Sequence, residues 1–150
     1  MAGKYYGEFE IGQVFVHDIR RTVTETDNLL FSTLTMNTAA IHIDHEYSKT
    51  TEFGRPLVNS IFTLGLVVGL TITDTTLGTT VGNLGWEEVK FPKPVFTGDT
   101  IRATTEVVAL RDSKSRPTQG IVTFVHKGIN QRDEVVCECR RLALMMRRAA

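Results

Sequence analysis

The chain has 150 residues, 41% of them hydrophobic and 23% charged, enough to bury one sizeable core and too few for two ordinary domains, so a single domain over 1–150 is expected. Seventeen basic side chains balance seventeen acidic ones, which leaves no overall field to gather nucleic acid or an anionic membrane surface, and neither is expected as a partner. The N-terminal stretch lacks the apolar core of a secretory signal and no window reaches the length of a membrane span, so the expected location is cytoplasmic.

In chain order, residues 13–24 read as an early strand. Leu29, Leu30, Phe31 and Leu34 then recur at helical spacing over residues 25–34. Thr24 or Thr26 can cap that helix, and Glu25 and Asp27 stand where its dipole favours acids. A polar loop carrying His42 follows, then a short helical turn over 46–51 and a breaker at Gly54-Arg55-Pro56. Residues 60–73 are apolar nearly all round, a pattern shared by buried helices and buried strands, and their length favours a helix. Ser60 is placed to cap it, and Gly65 and Gly69, four apart, would let a sheet approach one face closely.

From Val81 onward the pattern is strand after strand, over 81–91, 100–110, 120–129 and 135–145, with turn chemistry between them. Long consecutive strands favour sequential antiparallel pairing, and the apolar helix ahead of them must be buried against one face. The expected class is α+β, a long antiparallel sheet wrapped around a central apolar helix. Cys137 and Cys139 share one face of the last strand, poor geometry for a disulfide; with no second Cys or His pair at zinc spacing they read as buried, inert thiols, and no metal is expected. Arg140-Arg141 and Arg147-Arg148 are the local basic pairs and read as solvation of a strand end.

His42, in a polar loop ahead of a breaker and an apolar helix, sets an imidazole beside a helix N-terminus, a place suited to acid/base work on a polarised carbonyl. Taken alone, a loop histidine with a carboxylate nearby is more often uninvolved in chemistry. His45 is its solvent-facing competitor. His17 and His126 fall in strand-like segments and read as surface or satisfied groups, and Trp86 reads as core or interface packing.

Three segments carry a family resemblance. These are Thr35-Met36-Asn37-Thr38-Ala39-Ala40-Ile41-His42-Ile43-Asp44, Phe53-Gly54-Arg55-Pro56-Leu57-Val58-Asn59-Ser60, and the run from Asn83-Leu84-Gly85 to Phe91-Pro92-Lys93-Pro94-Val95-Phe96-Thr97-Gly98-Asp99-Thr100-Ile101. Together they resemble the MaoC-like, (R)-specific enoyl-CoA hydratases of the hotdog fold, over most of the chain. The resemblance implies catalytic roles for His42, Asn37 and Ser60: His42 as acid/base, Asn37 where the family has a catalytic aspartate, and Ser60 where it has a helix-cap glycine whose N–H holds the thioester oxygen. It also implies substrate contacts at Asp44, Asn59 and Gly54. Arg55, at the turn before the apolar helix, is placed where a guanidinium could contact substrate, either at a carboxylate or at a CoA phosphate, although a surface role is the commoner one. Asn59 replaces a family histidine, and the Thr38-Ala39-Ala40 stretch replaces an Asn-Pro pair.

The chemistry so implied adds water across the Cα=Cβ bond of a thioester. It needs a group to take the water proton, a proton for Cα, and stabilisation of the enolate oxygen. Asn37 can orient water through its amide but cannot act as a base, so His42 would carry the proton transfers. The Asn-Thr-Ala-x-x-His form resembles members acting on branched or dicarboxylic C5 acyl-CoAs such as mesaconyl-, methylmalyl- or itaconyl-CoA. No cofactor is implied, because CoA enters as part of the substrate, and the family's habit of pairing sheets implies a homodimer or dimer of dimers. Two other readings are a non-catalytic acyl-CoA-binding hotdog subunit, suggested by Asn37, and an acyl-CoA thioesterase, disfavoured because residues 60–70 contain no acid.

Overall fold

A computed structural model describes residues 3–149. After a 3-10 turn at Tyr6–Glu8 come strand β1 (Val14–Thr22), helices α1 (Glu25–Leu34), α2 (Ala40–Ile43), α3 (His45–Lys49) and α4 (Ser60–Thr75), and strands β2 (Thr80–Lys90), β3 (Thr100–Asp112), β4 (Gln119–Ile129) and β5 (Val135–Met146). The five strands form one antiparallel sheet in the order β1-β3-β4-β5-β2. This is the α+β arrangement expected, with one correction. β3, β4 and β5 pair in sequence, but β2 pairs with β5 at the far edge and not with β3. The β2–β3 link contains Pro92 and Pro94, which cannot donate to a ladder and hold the preceding residues extended. It therefore cannot close a tight hairpin, and it carries the chain across the sheet.

Helix α4 buries Thr63, Val67, Leu70, Thr71 and Thr75, mostly one residue per turn along a single stripe, as a helix crossing a sheet must. The buried threonines stay satisfied because Thr71 and Thr75 return their hydroxyls to the carbonyls of Val68 and Thr71. Val67 packs with Val58, Leu70, Ile101, Ala103, Val136 and Cys137 in one core cluster. A second cluster joins Tyr6 and Phe9 to Val107, Val122, Phe124, Ala143 and Met145. The close approach of helix and sheet does not come from the helix glycines. Gly65 and Gly69 are exposed, with open space where a Cβ would stand. The sheet supplies the small residue instead, since a Cβ on Gly128 would collide with Val67.

One further sequence expectation changes, and the two strand histidines take the satisfied alternative rather than the surface one. Arg141 does not solvate a strand end: it is 5% exposed, because the β4–β5 register sets it opposite Phe124 on the inner face. Its Nε donates to Asn83 Oδ1 at 3.3 Å and its guanidinium lies 5.9 Å from the Trp86 ring. His17 and His126 are both buried and joined through one hydroxyl, with Thr105 Oγ1 2.8 Å from His17 Nε2 and 2.8 Å from His126 Nδ1. His17 Nδ1 donates to Asp74 of α4 at 2.7 Å, which fastens the helix to β1 and β3. The thiols of Cys137 and Cys139 are free and buried, as expected.

Candidate active site

The segment before α4 is built around main-chain groups that neighbouring side chains satisfy. His42 lies in the single turn of α2 rather than in open loop. The Leu57 N–H donates to Ile41 O at 2.9 Å, and His42 Nδ1 lies 2.8 Å from Leu57 O. A carbonyl only accepts, so Nδ1 carries the proton and the neutral ring keeps its lone pair on Nε2. The next residue is tied to the β2–β3 link, with the Val58 N–H donating to Val95 O at 2.9 Å.

Asn28 of α1 ties this segment together, and no pattern in the sequence marks it. It is 3% exposed. Its Nδ2 donates to His42 O at 2.9 Å and to Leu57 O at 3.1 Å, while its Oδ1 accepts the Asn59 N–H at 2.9 Å. One amide therefore fixes the histidine turn, the carbonyl that orients the imidazole and the start of α4.

His42 opens on a cavity of about 420 Å³, with Asn28, Leu29, Ile43, Arg55 and Pro56 in its wall. Glu25 and His45 stand at the same cavity, paired with each other at 2.6 Å. Thr97 completes it from the β2–β3 link, on a turn anchored by Asp99. Burial opposes the Asp99 charge, but Gln131, the Phe96 N–H and Arg132 hold its carboxyl below the usual range. A second, apolar hollow of about 220 Å³ lies across the Leu57–Val58 segment, between Phe53, Ser60, Phe91, Val95 and Val136.

The structure brings His42 and Arg55 to one cavity and puts the other expected site residues elsewhere. Ser60 does not cap α4. The cap is Asn59, whose Oδ1 accepts the Ile61 N–H at 3.0 Å, because the chain is still extended at Asn59 with ψ 125. In place of the expected substrate contact, Asn59 is 4% exposed and its amide also reaches Ser32 Oγ at 3.4 Å. The Ser60 side chain faces the second hollow, and its N–H has no partner among the described residues. Asn37 Oδ1 accepts the Ala39 N–H at 3.1 Å, a turn of its own outside the cavity wall. Asp44, exposed, caps α3 by accepting the Tyr47 N–H at 2.9 Å. Gly54 has φ +66, so its role is to turn the chain into Arg55 where other residues would be strained.

A family model described as MaoC like domain matches residues 8–129. The chain belongs to this family. A beta-methylmalyl-CoA dehydratase of Chloroflexus aurantiacus is 33% identical over 147 residues, 97% of this chain and 41% of that protein. A mesaconyl-CoA hydratase of Cereibacter sphaeroides is 30% identical over 147 residues, 98% of this chain and 42% of that protein. The chain thus spans about two fifths of the length of these curated relatives. The crystal structure of a monoamine oxidase regulatory protein from Archaeoglobus fulgius has a TM-score of 0.87 at 31% identity, covering 99% of this chain and 98% of that one. The wrapped helix and sheet are the hotdog fold of this MaoC-like domain.

Proposed function

We propose that this MaoC-like domain hydrates an enoyl-CoA thioester reversibly to a 3-hydroxyacyl-CoA, with C5 acyl groups of the mesaconyl, methylmalyl or itaconyl kind as substrates. One observation carries the reading: the Leu57 carbonyl holds His42 Nδ1–H at 2.8 Å, which leaves Nε2 as a free base at a cavity large enough for a short acyl chain. In the forward direction Nε2 takes a proton from water as the oxygen bonds to Cβ. The electron pair moves to the thioester oxygen, and the imidazolium returns a proton to Cα. The enolate oxygen is held by the unpartnered Ser60 N–H at the start of α4, where the helix dipole favours negative charge. The thioester would lie over the Leu57–Val58 segment that separates the two hollows. Asn37 serves as a loop former with an amide left for water, and His42 performs both proton transfers.

The names of the two curated relatives support this chemistry and the C5 acyl class. A thioesterase reading is weakened because Asp74, the acid of α4, is engaged with His17 at the far end of the helix. The edge strand β2 leaves Val81, Leu84 and Trp86 exposed, and a homodimer would pair there. The test follows loss of enoyl-thioester absorbance on crotonyl-, mesaconyl- and itaconyl-CoA. His42→Ala should lower turnover by about a hundred- to ten-thousand-fold. Binding without turnover by the wild type on all three substrates would refute hydration and leave a non-catalytic acyl-CoA-binding domain.

A further inference from the structure

We propose that Arg55 is a carboxylate receptor that makes this domain select enoyl thioesters carrying a second, free carboxylate on the acyl group. The inference rests on the hydratase reading and names the residue that sets its specificity. The Arg55 guanidinium centre lies 3.9 Å over the Phe96 ring, and Phe96 is itself 9% exposed and braced by Phe53 at a centroid distance of 5.9 Å. The Phe96 N–H is fixed on Asp99 Oδ2 at 2.9 Å. Stacking occupies the face of the guanidinium and leaves its in-plane N–H edge free, the edge that grips a carboxylate with two parallel hydrogen bonds.

The neighbouring charges are already committed. Glu25, the carboxylate at this cavity, is held by His45 at 2.6 Å, so Arg55 faces the cavity without an acidic partner among the described residues. The apolar wall of Leu29, Ile43 and Pro56 suits a short hydrocarbon between the double bond and that charge.

Distance separates this ligand from the diphosphate of CoA. A sphere of about 420 Å³ is about 9 Å across, whereas an extended pantetheine arm sets the diphosphate roughly 15 Å from the thioester at ordinary bond lengths. With His42 and Arg55 in one cavity, the anion within reach of both is on the acyl group.

The experiment compares mesaconyl-CoA, which has the second carboxylate, with crotonyl-CoA, which lacks it, on wild type, Arg55→Met, Arg55→Lys and Phe96→Leu. The ratio of the two kcat/KM values should favour mesaconyl-CoA in the wild type and fall about a hundredfold in Arg55→Met, as loss of a charge-assisted pair predicts. Arg55→Lys should restore a minor part, because an ammonium cannot both stack and fork. Phe96→Leu should fall between, since the charge remains but loses its support. Equal losses on both substrates, or a wild type without the preference, would overturn the proposal. If the wild type turns over neither substrate, the hydratase reading fails and calorimetric titration decides the inference: tighter binding of mesaconyl-CoA that disappears in Arg55→Met upholds it, and equal binding of the two thioesters overturns it.

Discussion

Asn28 holds three main-chain groups with one buried amide, so Asn28→Ala should damage stability and activity together. The Leu57 carbonyl keeps its bond to His42 Nδ1, whereas the Asn59 N–H and the His42 carbonyl lose the amide as a partner. Stranding a buried donor costs about 1–3 kcal/mol and a lost ordinary hydrogen bond about 1 kcal/mol, which sums to about 3 kcal/mol. With a urea m-value of about 2 kcal/mol/M for a domain of this size, the midpoint should fall by about 1.5 M at unchanged m. Asn28→Asp keeps the acceptor for the Asn59 N–H, so its loss should come from the His42 and Leu57 side, where both donors are gone and a buried carboxylate faces two carbonyls. In both variants kcat should fall more than KM rises, since the ring that loses its support is the one proposed to make the proton transfers. A midpoint drop under about 0.5 M for Asn28→Ala would refute the bookkeeping. A normal kcat would refute the claim that this amide positions the histidine.

Met36 has φ 58 just past the end of α1, where its N–H donates to Thr33 O at 3.1 Å and the Asn37 N–H to Ser32 O at 2.8 Å. Met36→Gly should relieve the left-handed backbone and raise stability by about 0.5–1 kcal/mol in a denaturant titration; a loss would show that the methionine packs in a way its exposure conceals. Gly128→Ala should destabilise by about 1–3 kcal/mol by thermal or urea unfolding, because the new methyl meets Val67. Burial first, then the charges of Arg141 and His17, push His126 down to about 3 from 6.5, so acid drives protons onto the unfolded chain before the native one. The stability this contributes is whole above pH 6.5 and should decline by about 1.4 kcal/mol for each unit below it, down to about pH 3. His126→Gln should flatten that slope relative to wild type in unfolding titrations between pH 6 and 4, and an unchanged slope would reject the assignment.

The sequence by itself determined the local elements and the central histidine. Periodicity marked α1, and the length of the apolar run marked α4; alternation and turn residues marked the five strands, whose bounds in the structure differ by a residue or two from those expected. The helices depend on hydrogen bonds and capping within a few residues of one another, and the strands show in side-chain alternation and turn residues, so the local pattern carries both. The tertiary structure alone decided what depends on residues far apart in the chain. Pairing of β2 with β5, Arg141 turned inward beside Trp86, Gly128 rather than Gly65 or Gly69 as the contact with α4, and the buried His17–Thr105–His126 chain all follow from sheet order and register. The site divides the same way. His42 and Arg55 were legible from their motifs, but the Asn28 amide at the heart of the site was not, because its partners lie 14, 29 and 31 residues away. A side-chain amide satisfying distant carbonyls has no periodicity; only the packed chain brings those groups within reach.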